Sequence, residues 1–312
     1  MLIFNSKNET DTKQQEDKSA DNLKSAMADN IPMQVLVFSS QKGGSGKTTL
    51  CGQLAVQAEL SGAGPVAVVD ADPQGSLADW WNVRKSDTPV FVKTNVEDLH
   101  NDLRELRLSG VRLVFVDTPP AVTDTIEQIV SHADLVVVPT RPSPHDLRAV
   151  GATLDIIECQ GKPLIFAVNG ATARARITSE AAIALSQHGT VAPVTVHHRN
   201  DFATSMVDGG SVMEVNPESR SAAEITELWK YIASRLGKVE RRAQQVPFDG
   251  IDRRHPSKGK EFDEVSRPAT FGRRVTDRQP SQEPLQGSMP QGPNEGAAEE
   301  PAQRHSFKAV GE

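Results

Sequence analysis

The chain has 312 residues, of which 24% are charged and 37% are hydrophobic, and its formal net charge at pH 7 is −7. This acidic balance argues against a constitutive nucleic-acid-binding protein, so any contact with DNA must rely on a local patch. Two cysteines are too few for a disulfide framework or a cysteine-rich metal site. No stretch approaches the roughly 18 consecutive apolar residues of a transmembrane helix, and the charges after Phe4 do not fit a signal peptide. We therefore expect a cytoplasmic protein that does not bind membranes.

Three regions of the chain differ in composition. Residues 1–33 are polar, mixed in charge and without apolar periodicity, which is typical of a disordered arm. Residues 34–238 alternate apolar runs with segments of helical length. Residues 239–312 hold eight of the twenty prolines, and their apolar residues occur singly, which predicts a low-complexity, disordered tail. The middle region is therefore the predicted folded domain.

The apolar runs of the middle region predict a parallel sheet. Strands are predicted at residues 35–38, 66–69, 113–116, 135–138, 164–168 and, more weakly, 191–196. Helices are predicted at residues 47–60, 96–108, 146–158, 179–188 and 219–236, the last with Gly237 as its stop. Nearly continuous apolar runs are typical of parallel strands buried on both faces. The pattern predicts an α/β, doubly wound, mostly parallel sheet covered by helices on both faces, with its ligand at the carboxyl ends of the strands.

The first apolar run leads into a glycine-rich turn and then into the first helical segment. The turn reads Lys42-Gly43-Gly44-Ser45-Gly46-Lys47-Thr48-Thr49. Strand, glycine loop and helix in this order form a phosphate-binding loop, in which backbone N–H groups and a helix N-terminus face the phosphate oxygens. Lys47 is predicted to reach the terminal phosphates, and the Thr48 hydroxyl to coordinate Mg²⁺. The loop departs from the common pattern at its first position, where Gln41 replaces a glycine.

Two later apolar runs end in aspartate. The second run is followed by Asp70 and Asp72, and the third ends in Asp117. A hydrophobic run that ends in aspartate is the Walker-B arrangement, in which the carboxylate holds a metal-bound water opposite the Thr48 hydroxyl. Because Asp70 and Asp72 are one residue apart at a strand end, only one of them need face the nucleotide.

These motifs resemble the ParA/MinD family of P-loop ATPases. Lys42 to Thr49 resembles the deviant phosphate loop of that family, and Asp72-Pro-Gln-x-Ser-Leu-x-x-Trp80 resembles its small ParF-like plasmid-partition members. The resemblance covers residues 34–237 and implies a P-loop NTPase fold with ATP and Mg²⁺ as cofactors. It also implies that Lys42 reaches across an ATP-dependent homodimer to the other nucleotide, that Asp72 orients the attacking water, and that Asp70 supports the Mg²⁺ shell or the loop.

Three later segments also resemble the family. Residues 139–147 form a proline-rich loop, which in the ParF-like subgroup lies beside the nucleotide and contributes to self-association; a rigid turn is the alternative. Asn169 ends a strand where the resemblance implies a contact with the adenine base; a strand-ending turn is the alternative. Arg174 and Arg176 are predicted in a loop, and Arg199 belongs to an Arg-Asn pair in the half that faces DNA in the family. Ordinary solvated charges are the alternative for these three arginines.

The resemblance implies a ParA-type ATPase that dimerises on binding ATP–Mg²⁺ and then binds non-specific DNA of the nucleoid. Such a protein drives the segregation of a plasmid or chromosome, with a centromere-binding ParB-like partner that stimulates slow hydrolysis. Two alternatives remain: a same-family ATPase that positions another cargo, such as a chemoreceptor cluster or a conjugation complex, and a nucleotide-loaded scaffold that does not hydrolyse ATP. A MinD-like membrane switch is disfavoured, because a long polar tail follows the last apolar stripe.

Overall fold

A computed structural model of the chain describes residues 32–121 and 124–245. The predicted arm (residues 1–33) and the predicted tail (residues 239–312) lie largely outside these described residues. The strands are Gln34–Phe38 (β1), Val66–Asp70 (β2), Val90–Lys93 (β3), Leu113–Asp117 (β4), Leu135–Thr140 (β5), Leu164–Ala171 (β6), Thr190–Val191 (β7) and Val196–His197 (β8). The helices of the described residues are Lys47–Leu60 (α1), Ser76–Asn82 (α2), Leu99–Leu108 (α3), Asp124–Ser131 (α4), Pro144–Cys159 (α5), Arg176–Ser186 (α6), Asn200–Val207 (α7), Val212–Val215 (α8) and Arg220–Gln245 (α9).

The sheet is parallel, with the strand order β3-β2-β4-β1-β5-β6-β7, and β8 pairs with β6. Side chains of β1 alternate between its two faces. Leu36 and Phe38 belong to the core that α1 and α9 cover, whereas Val35 and Val37 belong to the core formed with α3, α4 and α5. The predicted doubly wound fold is therefore confirmed. β1 lies centrally, so that the loop after it emerges among the carboxyl ends of β4 and β5.

The five strong apolar runs form strands, as predicted. The prediction of a single strand at the weak run, residues 191–196, was wrong. Pro193 interrupts it, and a proline has no N–H group to donate to a sheet ladder. The chain forms β7 and β8 on either side, and both pair with β6. The edge strand β3 was not predicted, since it is short and only partly buried.

The helix boundaries differ from the predictions mainly at the N-terminal ends. The segment predicted from residue 96 starts at Leu99, because the preceding residues form a turn in which Asn95 Oδ1 accepts the Asp98 N–H at 2.9 Å. The third predicted helix starts earlier, at Pro144, after the N-cap Ser143. The predicted stop at Gly237 was wrong: α9 continues to Gln245. Gly237 is not in the left-handed region, and a helical glycine costs only about 1 kcal/mol relative to alanine.

None of the helices described at residues 32–121 and 124–245 combines the length and the apolar character needed to cross a membrane.

Candidate nucleotide site

The glycine-rich loop connects β1 to α1, and its backbone conformation requires glycine at two positions. Gly44 has φ +74° and Gly46 has φ +97°, both in the left-handed region that disfavours side chains. A Cβ atom on Gly46 would also lie 2.1 Å from Nδ2 of Asn169. At the start of the loop, the Gln41 N–H donates to Oγ1 of Thr153 on α5 at 3.2 Å. The loop is thus fixed on both sides, as a preformed cradle must be.

Lys47 opens α1 and is only 6% exposed. Its Nζ atom donates a hydrogen bond to the Ser40 carbonyl oxygen at 3.2 Å. Burial lowers the pKa of Lys47 from its ordinary value, against the opposing influence of the Asp117 and Asp72 carboxylates. The Ser45 hydroxyl is buried without a hydrogen-bond partner among the described residues. A buried ammonium and an unpartnered hydroxyl in one glycine loop fit the oxygens of a bound phosphate.

Thr48 and Asp117 form the closest side-chain pair of the site. The Thr48 hydroxyl donates to Oδ2 of Asp117 at 2.6 Å, and Oδ1 of Asp117 accepts the Thr118 N–H at 3.1 Å. Asp117 is fully buried, and desolvation raises its pKa from 3.8 to about 7, although the hydrogen bond from Thr48 acts in the opposite direction. Hydroxyl and carboxylate oxygens are ligands that Mg²⁺ prefers, directly or through water, so this pair fits the metal that the resemblance implies.

Asp70 ends the neighbouring strand β2 and Asp72 follows it, and the two carboxylates face different partners. Asp70 stands in register with Asp117, and its two carboxylate oxygens accept the N–H groups of Asp72 at 3.1 Å and of Ala78 at 2.9 Å. Burial raises the pKa of Asp70. Of the two roles implied for Asp70, this geometry favours support of the loop over a place in the Mg²⁺ shell. Asp72 accepts the Gln74 N–H through Oδ1 at 2.9 Å and lines the cavity.

Two adjoining cavities surround the loop. The first, of about 750 Å³, has the size of a cofactor pocket. Its lining includes Gly43, Gly44, Gly46, Lys47, Thr48, Thr49, Asp72 and Arg141. The second, of about 240 Å³, continues past Gly46 to Asn169, His198 and Arg199. Lys47, Thr48 and Asp72 therefore line one space, and Asp117 lies behind it in contact with Thr48.

Asn169 contacts the glycine-rich loop directly. Its Nδ2 donates to the Ser45 carbonyl oxygen at 2.8 Å, so that the amide holds the loop from the side of β6. Asn169 also lines the second cavity, next to Gly170 and Phe202. Its predicted adenine contact stays a prediction, to which the geometry adds a loop-holding role.

The three arginines predicted to face DNA have different surroundings. Arg174 is exposed in a loop and adopts φ +62°, which is uncommon for a residue with a side chain. Arg176 opens α6 rather than lying in a loop, and its exposed side chain pairs with Glu180 at 2.8 Å. Arg199 donates two hydrogen bonds to Glu224 on α9, at 2.6 and 2.7 Å. The guanidinium of Arg199 is therefore already satisfied within the chain.

Sequence analysis missed a polar stripe that links α1 to the C-terminal helices. Gln53, which is fully buried, accepts the Val212 N–H at 2.9 Å and donates to Ser205 at 3.3 Å. One turn further along α1, Gln57 accepts a hydrogen bond from Thr226, and Ser61, which follows the last residue of α1, accepts one from Trp229. The signal was a polar residue at every fourth position, a spacing that places Gln53, Gln57 and Ser61 on one face. This stripe anchors the helix of the phosphate loop.

A second missed link joins α2 to the start of α8. Arg84 makes two hydrogen bonds to Glu214, at 2.9 and 2.6 Å, and also donates to the Gly209 carbonyl oxygen at 2.8 Å. The indole N–H of Trp80 donates to the neighbouring Gly210 carbonyl at 3.0 Å. Because α2 follows the Asp72 turn directly, these contacts fix that turn against the C-terminal half.

Comparison with known proteins agrees with this geometry. The family model described as the CobQ/CobB/MinD/ParA nucleotide binding domain matches residues 36–152. The chain is 32% identical over 200 residues to the "Maintenance of carboxysome distribution protein A" of Halothiobacillus neapolitanus, an alignment that covers 61% of this chain and 91% of that protein. The chain belongs to the ParA/MinD family. Members of this family are P-loop ATPases with ATP and Mg²⁺ as cofactors.

Other ParA/MinD proteins match over different extents. The chain is 29% identical over 127 residues to "Protein ParA" of Rhizobium radiobacter, covering 40% of this chain and 56% of that protein. The septum site-determining protein MinD of Pyrococcus horikoshii, solved with Mg-ADP, superimposes with a TM-score of 0.55 at 16% identity, covering 66% of this chain and 98% of that chain. At that identity the similarity shows the fold alone, and it confirms the predicted P-loop NTPase fold.

Proposed function

We propose that this ParA/MinD protein is an ATPase that hydrolyses ATP slowly, forms a homodimer when ATP–Mg²⁺ is bound, and uses this switch to position a cargo on DNA. The observation that carries the proposal is the Thr48–Asp117 pair at the base of a glycine loop that also holds the buried Lys47. Phosphate, metal and water-orienting groups then surround one cavity. A scaffold that binds ATP–Mg²⁺ without hydrolysing it would need the phosphate and metal groups but not Asp72, so Asp72 is the residue that favours the ATPase.

Each side chain of the site has a specific role in the proposed hydrolysis. Lys47 binds the terminal phosphates and offsets the charge that develops on them, while loop N–H groups hold the remaining oxygens. Thr48 and Asp117 would hold Mg²⁺, Thr48 as a ligand and Asp117 through water, and the bound ion would neutralise phosphate charge. Asp72 orients the attacking water, which requires positioning rather than strong basicity. Asp70 keeps Asp72 in place through its hydrogen bond to the Asp72 N–H.

The proposed dimer places two such sites face to face. Lys42 is exposed at the mouth of the loop, and no hydrogen bond or ion pair is described for it at residues 32–121 or 124–245. An exposed lysine there is free to reach the nucleotide of a second copy, which is the role that the resemblance implies. Exposed Val83 and Val207 line the same cavity, and burying such apolar side chains against a second copy would stabilise the pair.

The cargo has two supported candidates. The first is a plasmid or chromosome, segregated on nucleoid DNA with a centromere-binding ParB-like partner; the ParA protein of Rhizobium radiobacter supports it. The second is a protein compartment, and it is favoured by the more extensive match to the carboxysome distribution protein, which covers 91% of that relative. In both, Arg174 and Arg176 offer exposed cations for DNA phosphates, whereas Arg199 first has to release Glu224.

The proposed activity is tested by measuring phosphate release from ATP with the full chain. Turnover is expected to be slow alone and to rise with non-specific DNA, and again with the protein encoded by the adjacent gene. Asp72→Ala should lower turnover by about 10²-fold or more while leaving ATP binding intact, because only the water loses its orientation. Negligible turnover under all conditions would reject the ATPase and leave the scaffold. Whether the adjacent protein binds a centromere-like DNA site or a protein shell distinguishes the two cargoes.

A further inference from the structure

Arg141 follows β5 directly and emerges beside the phosphate loop. β5 pairs with β1, and Phe38 at the end of β1 stands in register with Val137. The Ser39 N–H then donates to the Val137 carbonyl oxygen at 3.1 Å, so the two strands run together to the point where the loop begins. Asp117 ends β4, which pairs with β1 on its other side. Arg141 and Asp117 therefore flank the loop from opposite sides.

The side chain of Arg141 lies across two glycines. At Gly170, a Cβ atom would be 3.4 Å from Nε, 3.6 Å from Cγ and 3.8 Å from Cδ of Arg141. At Gly44, within the phosphate loop, a Cβ atom would be 4.0 Å from Nη2. Both glycines have positive φ, at +65° and +74°. The guanidinium thus extends from the end of β6 to the loop, and Arg141 lines both cavities of the site.

The charge of Arg141 has no counterpart in the described structure. Arg84 and Arg199 each form a two-bond ion pair with a glutamate. For Arg141, no hydrogen bond from the guanidinium and no ion pair is described at residues 32–121 or 124–245. A guanidinium carries five N–H donors in a planar fork that matches phosphate oxygens. An unpaired fork beside a loop built for phosphate points to an anionic ligand.

The backbone around Arg141 is stiff. Pro142 restricts the preceding residue to extended conformations, which directs Arg141 away from the helix that follows. The Ser143 N–H donates to the Arg141 carbonyl oxygen at 2.8 Å, and Ser143 caps α5 through the Asp146 N–H. The Gln41–Thr153 hydrogen bond fastens the same helix to the start of the phosphate loop. The backbone of Arg141 and the loop are therefore held in a fixed relation before any ligand binds, and the exposed side chain of Arg141 extends from this backbone toward the loop.

We propose that Arg141 binds the polyphosphate of the nucleotide held by its own chain, as a second cation opposite Asp117. The proposal rests on the nucleotide site proposed above and adds a residue that the glycine-loop motif does not contain. Lys47 reaches the phosphates from within the loop, and Arg141 reaches them from β5. The prolines of residues 139–147 then position Arg141 for phosphate binding, so that this segment contributes to the nucleotide site and is more than a rigid turn.

The test is the affinity of the full chain for ADP and for AMP, measured by isothermal titration or by competition against a fluorescent ADP analogue. Arg141→Ala should weaken ADP binding about 10- to 100-fold, the effect of losing charged hydrogen bonds, and should reduce the preference for ADP over AMP. Arg141→Lys should recover part of the loss, because it restores charge without the fork. Arg148→Ala, which removes an exposed cation on α5, is the matched control and should leave both affinities unchanged.

Other outcomes would overturn the proposal in distinguishable ways. Wild-type ADP affinity in Arg141→Ala, with Lys47→Ala still impaired, would reject Arg141 and leave the nucleotide site standing. An equal loss for ADP and AMP would mean a contact with the nucleoside or the first phosphate instead. Unchanged ADP affinity with loss of ATP-dependent dimerisation would mean that Arg141 acts across the dimer. Unchanged affinity in Lys47→Ala as well would reject the nucleotide site itself.

Discussion

Charged side chains at the nucleotide edge of the sheet and in the C-terminal half have opposite surroundings. At the nucleotide edge, Asp117 has its pKa raised to about 7, Lys47 has its pKa lowered, and Ser45 has a buried hydroxyl without a partner in the described structure. In the C-terminal half, Arg199 and Glu224 satisfy each other, and hydrogen bonds from Arg199 and His197 lower the pKa of Glu224 despite its partial burial. Buried groups whose pKa values burial shifts toward the neutral form therefore mark the proposed nucleotide edge, and ion-paired groups mark the part that holds its shape.

Lys47→Ala gives the largest expected effect and tests the binding side of this comparison. It removes the one buried ammonium of the phosphate loop, and we expect a loss of about 2–5 kcal/mol in ATP-binding free energy, enough to abolish binding at ordinary concentrations. Equilibrium titration with ATP–Mg²⁺ measures it, with Arg148→Ala as the control. Full ATP affinity in Lys47→Ala would contradict the assignment of the loop.

Asp117→Asn tests whether the buried carboxylate of Asp117 lowers the free energy of unfolding. The folded-state pKa of Asp117 is about 7 against 3.8 for the free group, so the folded state holds the proton longer. The protonated Asp117 therefore stabilises the folded state fully below pH 4, and this stabilisation is lost as the pH rises to about 7. One pKa unit corresponds to about 1.4 kcal/mol, so the loss is at most about 4 kcal/mol.

Urea unfolding at several pH values measures this effect without nucleotide. Between pH 4 and 7, the free energy of unfolding should decline more in the wild type than in Asp117→Asn. Parallel pH profiles for the two proteins would show that Asp117 is ionised at no cost, and the contrast between the two regions would then lose its electrostatic basis.

Glu224→Ala tests the structural side and should have a smaller effect on stability. It removes the acceptor of two hydrogen bonds from Arg199 and of the His197 N–H, for an expected loss of about 1–3 kcal/mol in the free energy of unfolding. Glu227→Ala, whose partner Lys230 is exposed, is the control and should change stability by less than about 1 kcal/mol. Equal effects of the two substitutions would mean that the Glu224 cluster does not hold the C-terminal half together.

The same contrast explains what the sequence could and could not predict. Asp117 ends β4, Asp72 lies two residues after β2, and Lys47 begins the helix after the loop that follows β1, so short motifs placed them at one edge of a parallel sheet. The Arg84–Glu214 pair joins residues 130 positions apart, and no local pattern announces it. Edge strand β3 is half exposed and lacks the continuous apolar run that identified the central strands. Gly237 shows the limit of a local stop signal, since α9 continues past it.

The proposed nucleotide site forms one half of an ATP-dependent dimer, and light scattering in solution measures this dimerisation. Wild type, Lys42→Ala and Lys47→Ala are compared with ADP–Mg²⁺ and with ATP–Mg²⁺. We expect the wild type to change from the mass of one chain to that of two with ATP alone. Lys42→Ala should bind ATP and yet stay monomeric, because only the contact across the dimer is lost, and Lys47→Ala should stay monomeric because it binds no ATP. ATP-dependent dimerisation of Lys42→Ala at the wild-type level would contradict this proposal.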